Sequence, residues 1–573
     1  MSKKLLAMLL AVVMVLGVLA GCGSAPAAPA DNGSANNAAP APAETKPAAE
    51  TPADPVKDTV VYGTPTAPAG TFQPLLTYMG SDYDINSLVF AALLSTDAQG
   101  NVFPYLAESY EVADDSLSIT FKLRQGVKWH DGEDVTMDDV IFTYEGIATS
   151  ADDFGKISRV KGAQEYRDGK ADSVEGLVVV DENTLRIEFT EAYAPVLKQL
   201  CVFEIIPEHI WGSIPQENWE TQTQLLNYPI GCGPYKVTKY ESGQYVQLEA
   251  YEDFFGGAPK IKNFIFKVVN QDAISAELMA GNVDIVNVKE LRTSELEELA
   301  AAGLKTYSIP DEMYQYISFN LRLPIFQDKT LRQAMLYSID RALILETIVE
   351  GRGVLLDSPF LPSGWASPAE GELNNYAYNP DLANKMLDDA GYADTDNDGV
   401  REAPDGTPLK FTLRCSNDSK TRENAVIYVK EAFAAIGVDV TVSIEEDAVV
   451  AEDCIYNHNF EMYALNCYFA DDPNPYGWWH SDSASDEVGV GSFNFGSYKV
   501  DAVDAAIEAG MSTLNQEERA AHYLEVAKHI NEDVPMIFLY VQDREMMTNP
   551  ALEGFDPYTF NVFYNVHNWS FAQ

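Results

Sequence analysis

The sequence predicts an α/β protein, and three observations predict it. Short stretches alternate apolar and polar residues with a period of two, longer stretches repeat apolar residues every 3.6, and both kinds occur in each half of the chain. Gly, Asn and Asp punctuate their boundaries, where turns need them.

The first strands lie where Ile119, Phe121 and Leu123 alternate with Ser118, Thr120 and Lys122, and where Leu185, Ile187 and Phe189 alternate with Arg186 and Glu188. Val246, Leu248 and Ala250 repeat the pattern. Such spacing turns the apolar side chains to one face of a half-buried strand. Asp139 is placed to cap a helix continued by Val140, Ile141 and Tyr144. Leu331, Met335, Ile339, Ala342 and Leu345 then share one face of a single helix that stops at Gly351. Another helix is expected over about 516–532, with Asn515 and Glu518 as a capping box. Pro535 ends it, and residues 537–541 read as a strand.

Before this body comes a different kind of sequence. Lys3 and Lys4 precede an uncharged, almost wholly apolar run at 5–20, which ends in the small residues Ala20, Gly21 and Cys22. At about 1.5 Å per residue the run reaches roughly 24 Å, short of a membrane core of about 30 Å, so residues 1–21 read as a signal peptide. Leu19-Ala20-Gly21-Cys22 resembles the bacterial lipobox, which implies a lipid on the Cys22 sulfur and a new N-terminus at that cysteine. Residues 22–57 are mostly Ala, Pro, Asn, Gly and Glu, with too little apolar bulk to offset the entropy of folding, and read as a disordered tether. The body beyond it is long enough for two or three domains. The expected location is therefore the extracytoplasmic face of the cell membrane, through a lipid anchor.

The net charge is −49 and becomes −51 once Lys3 and Lys4 leave with the signal, which excludes nucleic acid as a partner by repulsion of phosphates. An anionic surface also favours a soluble monomer. Besides Cys22 the cysteines are at 201, 232, 415, 454 and 467, without metal-type spacing; Cys201 and Cys232 either pair or stay as buried thiols.

No HExxH, GxSxG, Walker A or strand-to-helix GxGxxG pattern occurs, and the histidines are scattered. No catalytic residue, cofactor or metal is expected. The nearest approach to a metal loop is Asp394, Asp396 and Asp398 before Gly399, with Glu402 and Asp405 at the ninth and twelfth positions. An Asp-rich turn between a helix and the strand near Leu409 accounts for the same residues.

Four dispersed stretches resemble the family 5 extracellular solute-binding proteins of ABC transporters, the group of oligopeptide-, dipeptide- and nickel-binding proteins. Residues 106–110, Leu-Ala-Glu-Ser-Tyr, lead to 121–132, Phe-Lys-Leu-Arg-Gln-Gly-Val-Lys-Trp-His-Asp-Gly, and to Asp139-Val140. Residues 231–235, Gly-Cys-Gly-Pro-Tyr, are similar to the family's GTGPY with Cys232 for Thr, and are followed by 255–260 and 281–285 in family order. Phe319-Asn320 through Asp328, Arg332-Gln333-Ala334 and Ile339-Asp340-Arg341 form the third stretch, and 388–392 through 399–401 the fourth.

The resemblance implies a two-lobed fold, type II of the periplasmic binding proteins, with a side domain in the first lobe. It places the hinge-bearing domain at 58–97, 229–309 and 541–573, the side domain at 98–228 and the second lobe at 310–540. The hinge falls near Ser308 to Met313 and Leu539 to Asp543. It further implies that the partners are a peptide ligand and ABC permease subunits.

The ligand-naming stretch is Tyr468-Phe469-Ala470-Asp471-Asp472-Pro473-Asn474-Pro475. Oligopeptide binders resemble Trp-x-Ala-Asp-Tyr-x-(Asp/Glu)-Pro here, so Tyr468, Phe469, Ala470 and Asp471 are the expected ligand-binding residues. The resemblance gives Asp471 the peptide's α-ammonium, in a cleft solvated when empty. Tyr468, Asp472 and Asn474 depart from the pattern. The rivals are a sugar-type solute, stacked on Trp365, Tyr468, Tyr476, Trp478 and Trp479, a metallophore, and an exported hydrolase with paired carboxylates.

Overall fold

The computed structural model describes residues 57–572 apart from Met79 and Asp152. The apolar run, Cys22 and nearly all of the 22–57 tether lie outside the described residues.

The architecture is organised by two long antiparallel strands, Lys305–Phe319 and Met536–Thr548, at the middle of an 11-stranded sheet. Outward from Lys305–Phe319 come Met462–Tyr468, Lys410–Ser416 and Asp439–Glu445. Outward from Met536–Thr548 come Ile285–Asn287, Thr59–Thr64, Asn263–Val268, Tyr245–Ala250 and Tyr235–Glu241. Alternate residues of the central strands feed different cores: Tyr314 and Tyr316 join one cluster, Ile317 and Phe319 another. Ile537 and Leu539 likewise separate from Met536 and Phe538. A strand buried on both faces needs no polar alternation, which is why residues 536–541 read as a continuous apolar run. A further core gathers residues from Val60 to Ile285 with the C-terminal segment through Phe571.

The pairing of the two central strands shifts register between Pro310 and Tyr314: Pro310 faces Asp543 and Tyr314 faces Val541. Asp311 and Glu312 occupy the irregular stretch. Asp311 takes Lys289 at 2.7 Å and Arg544 at 3.1 Å, and Arg544 reaches Glu312 at 3.3 Å.

The three period-two stretches are strands; Tyr245–Ala250 lies in the 11-stranded sheet, and the other two pair with each other. Ser118–Leu123 and Thr184–Glu188 are neighbours in a separate four-stranded antiparallel sheet, with Ile119 opposite Ile187 and Phe121 opposite Leu185. All four side chains are buried in the same core as Val140, Tyr144 and Ile147 of the helix Met137–Thr149. The cap of that helix is Thr136, not Asp139. Asp139 sits three residues in, where its carboxylate accepts from the Thr136 amide at 2.8 Å, the Glu208 amide at 2.8 Å and the Trp129 indole at 3.3 Å.

The single helix expected to stop at Gly351 is two helices, Lys329–Tyr337 and Arg341–Ile348. Asp340 accepts from the Leu343 amide at 2.9 Å and starts the helix afresh, so Ala342 is exposed and Ile344 takes the buried position. The helix Gln516–Asp533 begins as expected at Asn515, which accepts from the Glu517 and Glu518 amides. The reciprocal half of the box is absent, because Glu518 instead accepts from the Thr513 hydroxyl at 2.8 Å.

The Gly-Cys-Gly-Pro-Tyr stretch braces the end of the helix Gly80–Val89. The Gly233 amide donates to the Val89 carbonyl at 2.7 Å. A Cβ on Gly231 would stand 2.0 Å from that carbonyl oxygen, and one on Gly233 2.6 Å from its carbon, so only glycine permits the approach.

Candidate functional site

The segment 468–475 leaves the end of the strand Met462–Tyr468 with its backbone still held, the Phe469 amide donating to the Glu312 carbonyl at 2.7 Å. The Phe469 ring is buried 4.8 Å from that of Tyr314, while Tyr468 and Ala470 are exposed. Asp471 reaches the side of the molecule built from residues before 229. Lys198, on the short helix Val196–Gln199, donates to the Asp471 backbone carbonyl and to Oδ1, each at 2.9 Å. Lys198 is only 7 % exposed and Asp471 29 %. Burial raises the Asp471 pKa above the ordinary carboxylate value, and Lys198 offsets part of that rise. Oδ2 of Asp471 accepts no hydrogen bond from the described residues.

Three adjoining cavities meet at this contact. One of about 100 Å³ is lined by the whole expected set, Tyr468, Phe469, Ala470 and Asp471, with Trp365 and Tyr558. A second, of about 490 Å³, continues from Asp471 and Tyr558 to Asp84, Glu204, Glu312 and Arg544. A third, of about 510 Å³, shares Lys198 with the first and Tyr83, Val202 and Glu204 with the second. Each of the larger two is within the range of small-ligand sites, about 300–1,000 Å³.

Residues 101–487 match the family model described as bacterial extracellular solute-binding proteins, family 5 middle. The chain belongs to this family. It is 29 % identical over 511 residues to the oligopeptide-binding protein AppA of Bacillus subtilis, covering 88 % of this chain and 90 % of that one. The structure of AppA from Bacillus subtilis in complex with a nonapeptide superposes with a TM-score of 0.70 at 27 % identity, over 90 % of this chain and 99 % of that one. NikZ from Campylobacter jejuni in complex with Ni(L-His) superposes with a TM-score of 0.71 at 25 % identity, over 90 % and 99 %. The fold is therefore the two-lobed α/β fold of the family 5 solute-binding proteins.

The departures of this family 5 chain from the oligopeptide pattern have local partners. Asp472 is buried in a bidentate pair with Arg519, at 2.8 and 3.0 Å, and the guanidinium lies 5.1 Å from the centre of the Trp365 ring. Arg519 also donates to the Gly510 carbonyl and the Tyr523 hydroxyl. Asn474 accepts from the Tyr476 amide and shapes the turn into the helix Tyr476–Trp479. Of the aromatic rings offered for sugar stacking, Tyr468 is exposed and the other four are engaged by the protein itself, Trp479 lying edge-on to Tyr498. Trp478 stacks on Phe493 at 5.2 Å, Tyr476 on His480 at 4.3 Å and Trp365 on Tyr523 at 6.0 Å.

In the Asp-rich loop, Asp394, Asp396 and Asp398 bring carboxylate oxygens within 4.8 Å of one another on the exposed surface. Glu402 and Asp405 are occupied elsewhere, by Thr395 and by the Thr407 amide. Asp394, Asp396 and Asp398 themselves accept from backbone amides of the turn. Cys201, Cys232, Cys415, Cys454 and Cys467 are all free and buried, so Cys201 and Cys232 do not pair. Burial pushes the Cys232 and Cys467 thiols up to about 12.

Lys198, Asp84, Glu204 and Arg519 carry no motif that sequence reading singled out. Lys198 is 273 residues from Asp471, a separation that no local pattern bridges. The replacement of the usual Tyr by Asp472 was the available signal for Arg519, since a carboxylate entering an aromatic position asks for a cation.

Proposed function

We propose that this chain captures an extended oligopeptide between its two lobes and hands it to an ABC permease without chemically changing it. The observation that carries the reading is the meeting of three cavities at the Lys198–Asp471 contact, two of them lined by Asp471 and the third by Lys198, on a chain 29 % identical to an oligopeptide-binding protein over most of both lengths. Lys198 holds one oxygen of Asp471, and the free Oδ2 is offered to the peptide's α-ammonium. A charge-assisted hydrogen bond in a screened cleft is a strong anchor. Tyr468, Phe469 and Ala470 line the path of the peptide's first residues.

The lobes follow the division 58–97, 229–309 and 541–573 with side domain 98–228, against 310–540, and the hinge lies at 308–313 and 539–543. The register shift between Pro310 and Tyr314 supports that position, because an irregular pairing absorbs dihedral change more readily than a regular ladder. Among the described residues no helix is long and apolar enough to cross a membrane. Attachment through a lipid on Cys22 accounts for a membrane partner, and Cys22→Ser should move the protein from the membrane to the soluble fraction.

Calorimetric titration with a panel of unmodified and N-acetylated oligopeptides tests the ammonium anchor. Removing one partner of a buried hydrogen-bonded charge pair costs about 2–5 kcal/mol, so acetylation or Asp471→Asn should weaken binding roughly 30-fold or more. Equal affinity for both peptide forms would remove Asp471 from the site.

A further inference from the structure

We propose that the 490 Å³ cavity holding Asp84 and Glu204 is a subsite for a cationic side chain of the bound peptide, a lysine or arginine, so that the protein selects basic peptides. The inference rests on the peptide reading above and adds a ligand class to it.

It follows from matching the charges that line this cavity and its neighbour. Lys198 is spent on Asp471. Arg544 and Lys289 are spent on Asp311 and Glu312, two cations against two carboxylates. Lys156, in the adjoining cavity, pairs with Asp153. His567, on the cavity wall, is held toward its neutral form by burial and by Lys260. Two acidic side chains remain, Asp84 on the helix Gly80–Val89 and Glu204, whose backbone is bridged to Ala92. Neither carboxylate has a hydrogen bond or ion pair to another side chain of the described residues.

Half-buried carboxylates with no cation paired to them are costly in their ionised form. Burial pushes Asp84 up to about 7, Glu312 adding to the rise and Arg544 opposing it, and burial likewise raises Glu204. An incoming ammonium or guanidinium supplies the missing charge and recovers that cost, whereas a neutral side chain does not and an acidic one adds to it. The walls suit the apolar stem of such a side chain, since Tyr83, Phe103, Tyr105 and Tyr558 line the same space and aromatic faces attract cations. The position of the helix that carries Asp84 is itself fixed by Gly231 and Gly233 against Val89.

The test is a calorimetric series on the full body at pH 7.5. The probes are pentapeptides of alanine with one residue changed in turn to Lys, Ala or Glu. At one position Lys should bind at least about 10-fold more tightly than Glu, with Ala between them. The double variant Asp84→Asn with Glu204→Gln should shrink the Lys-to-Glu ratio at that position to within about 3-fold. Peptides that bind but show no position with a Lys preference would overturn the cationic subsite and leave the peptide reading standing. If no peptide of the series or of the unmodified panel binds, the peptide reading fails and takes this inference with it. A Lys preference that survives the double variant also overturns the assignment to Asp84 and Glu204. The series on the unaltered protein decides the matter even if the variant does not fold.

Discussion

Replacing Lys198 by Met keeps the length of the side chain and removes the ammonium that pairs with Asp471. The pair is short, 2.9 Å, and lies between the exposed and buried limits, with Lys198 7 % and Asp471 29 % exposed. Exposed pairs contribute about 0–1 kcal/mol and breaking buried ones costs about 3–5 kcal/mol, so about 2 kcal/mol is the expected loss. In the division of lobes proposed above the two partners belong to different lobes, so the loss falls on the closed arrangement and not on either core. The ratio of closed to open molecules should drop roughly 30-fold without ligand. Single-molecule energy transfer between dyes on the two lobes reads that ratio directly, and small-angle scattering reads it as a larger radius of gyration. The unfolding midpoint of each lobe should barely move. An unchanged closed fraction in Lys198→Met, with the fold intact, would falsify the view that this contact latches the lobes.

Asp472→Ala leaves the buried Arg519 guanidinium without its carboxylate and should cost about 3–5 kcal/mol in chemical denaturation, far more than Asp471→Ala; a loss below about 1 kcal/mol would mean water reaches Arg519. Gly233→Ala drives a Cβ to 2.6 Å from the Val89 backbone and should lower the melting temperature, whereas Gly155→Ala, whose Cβ meets nothing within 4 Å and whose backbone is not left-handed, should be the milder change. Asp84 titrates at about 7 when folded and near 3.8 when unfolded, so between those values the folded state alone keeps the proton. Stability therefore falls as pH rises through that window. Asp84→Asn should gain melting temperature over the unaltered protein at pH 8 and little at pH 4; an equal gain at both would refute the charge assignment.

Much of the fold was legible because local periodicity reports the face that a strand or helix buries. Ile119 and Phe121 were readable as inward-facing for that reason, and their partners Ile187 and Leu185 carried the same signature. Reading failed where capping chemistry interrupted a pattern. Leu331 to Leu345 keeps helical spacing straight through Asp340, yet the Asp340 carboxylate takes the Leu343 amide and divides the helix. Of the site, Tyr468 to Asp471 was visible through resemblance. The charges that set their surroundings were not, because Lys198, Asp84 and Glu204 arrive from distant chain segments and only the fold brings them to one cleft.

Native mass spectrometry of the body, purified from its own cells without refolding, tests the central claim most directly, since a ligand enclosed between closed lobes survives mild purification. The account predicts bound masses that fragment as short peptides, enriched in lysine or arginine, and lost on Asp471→Asn. A glycan, a metal chelate or another non-peptide solute as the retained ligand would contradict it.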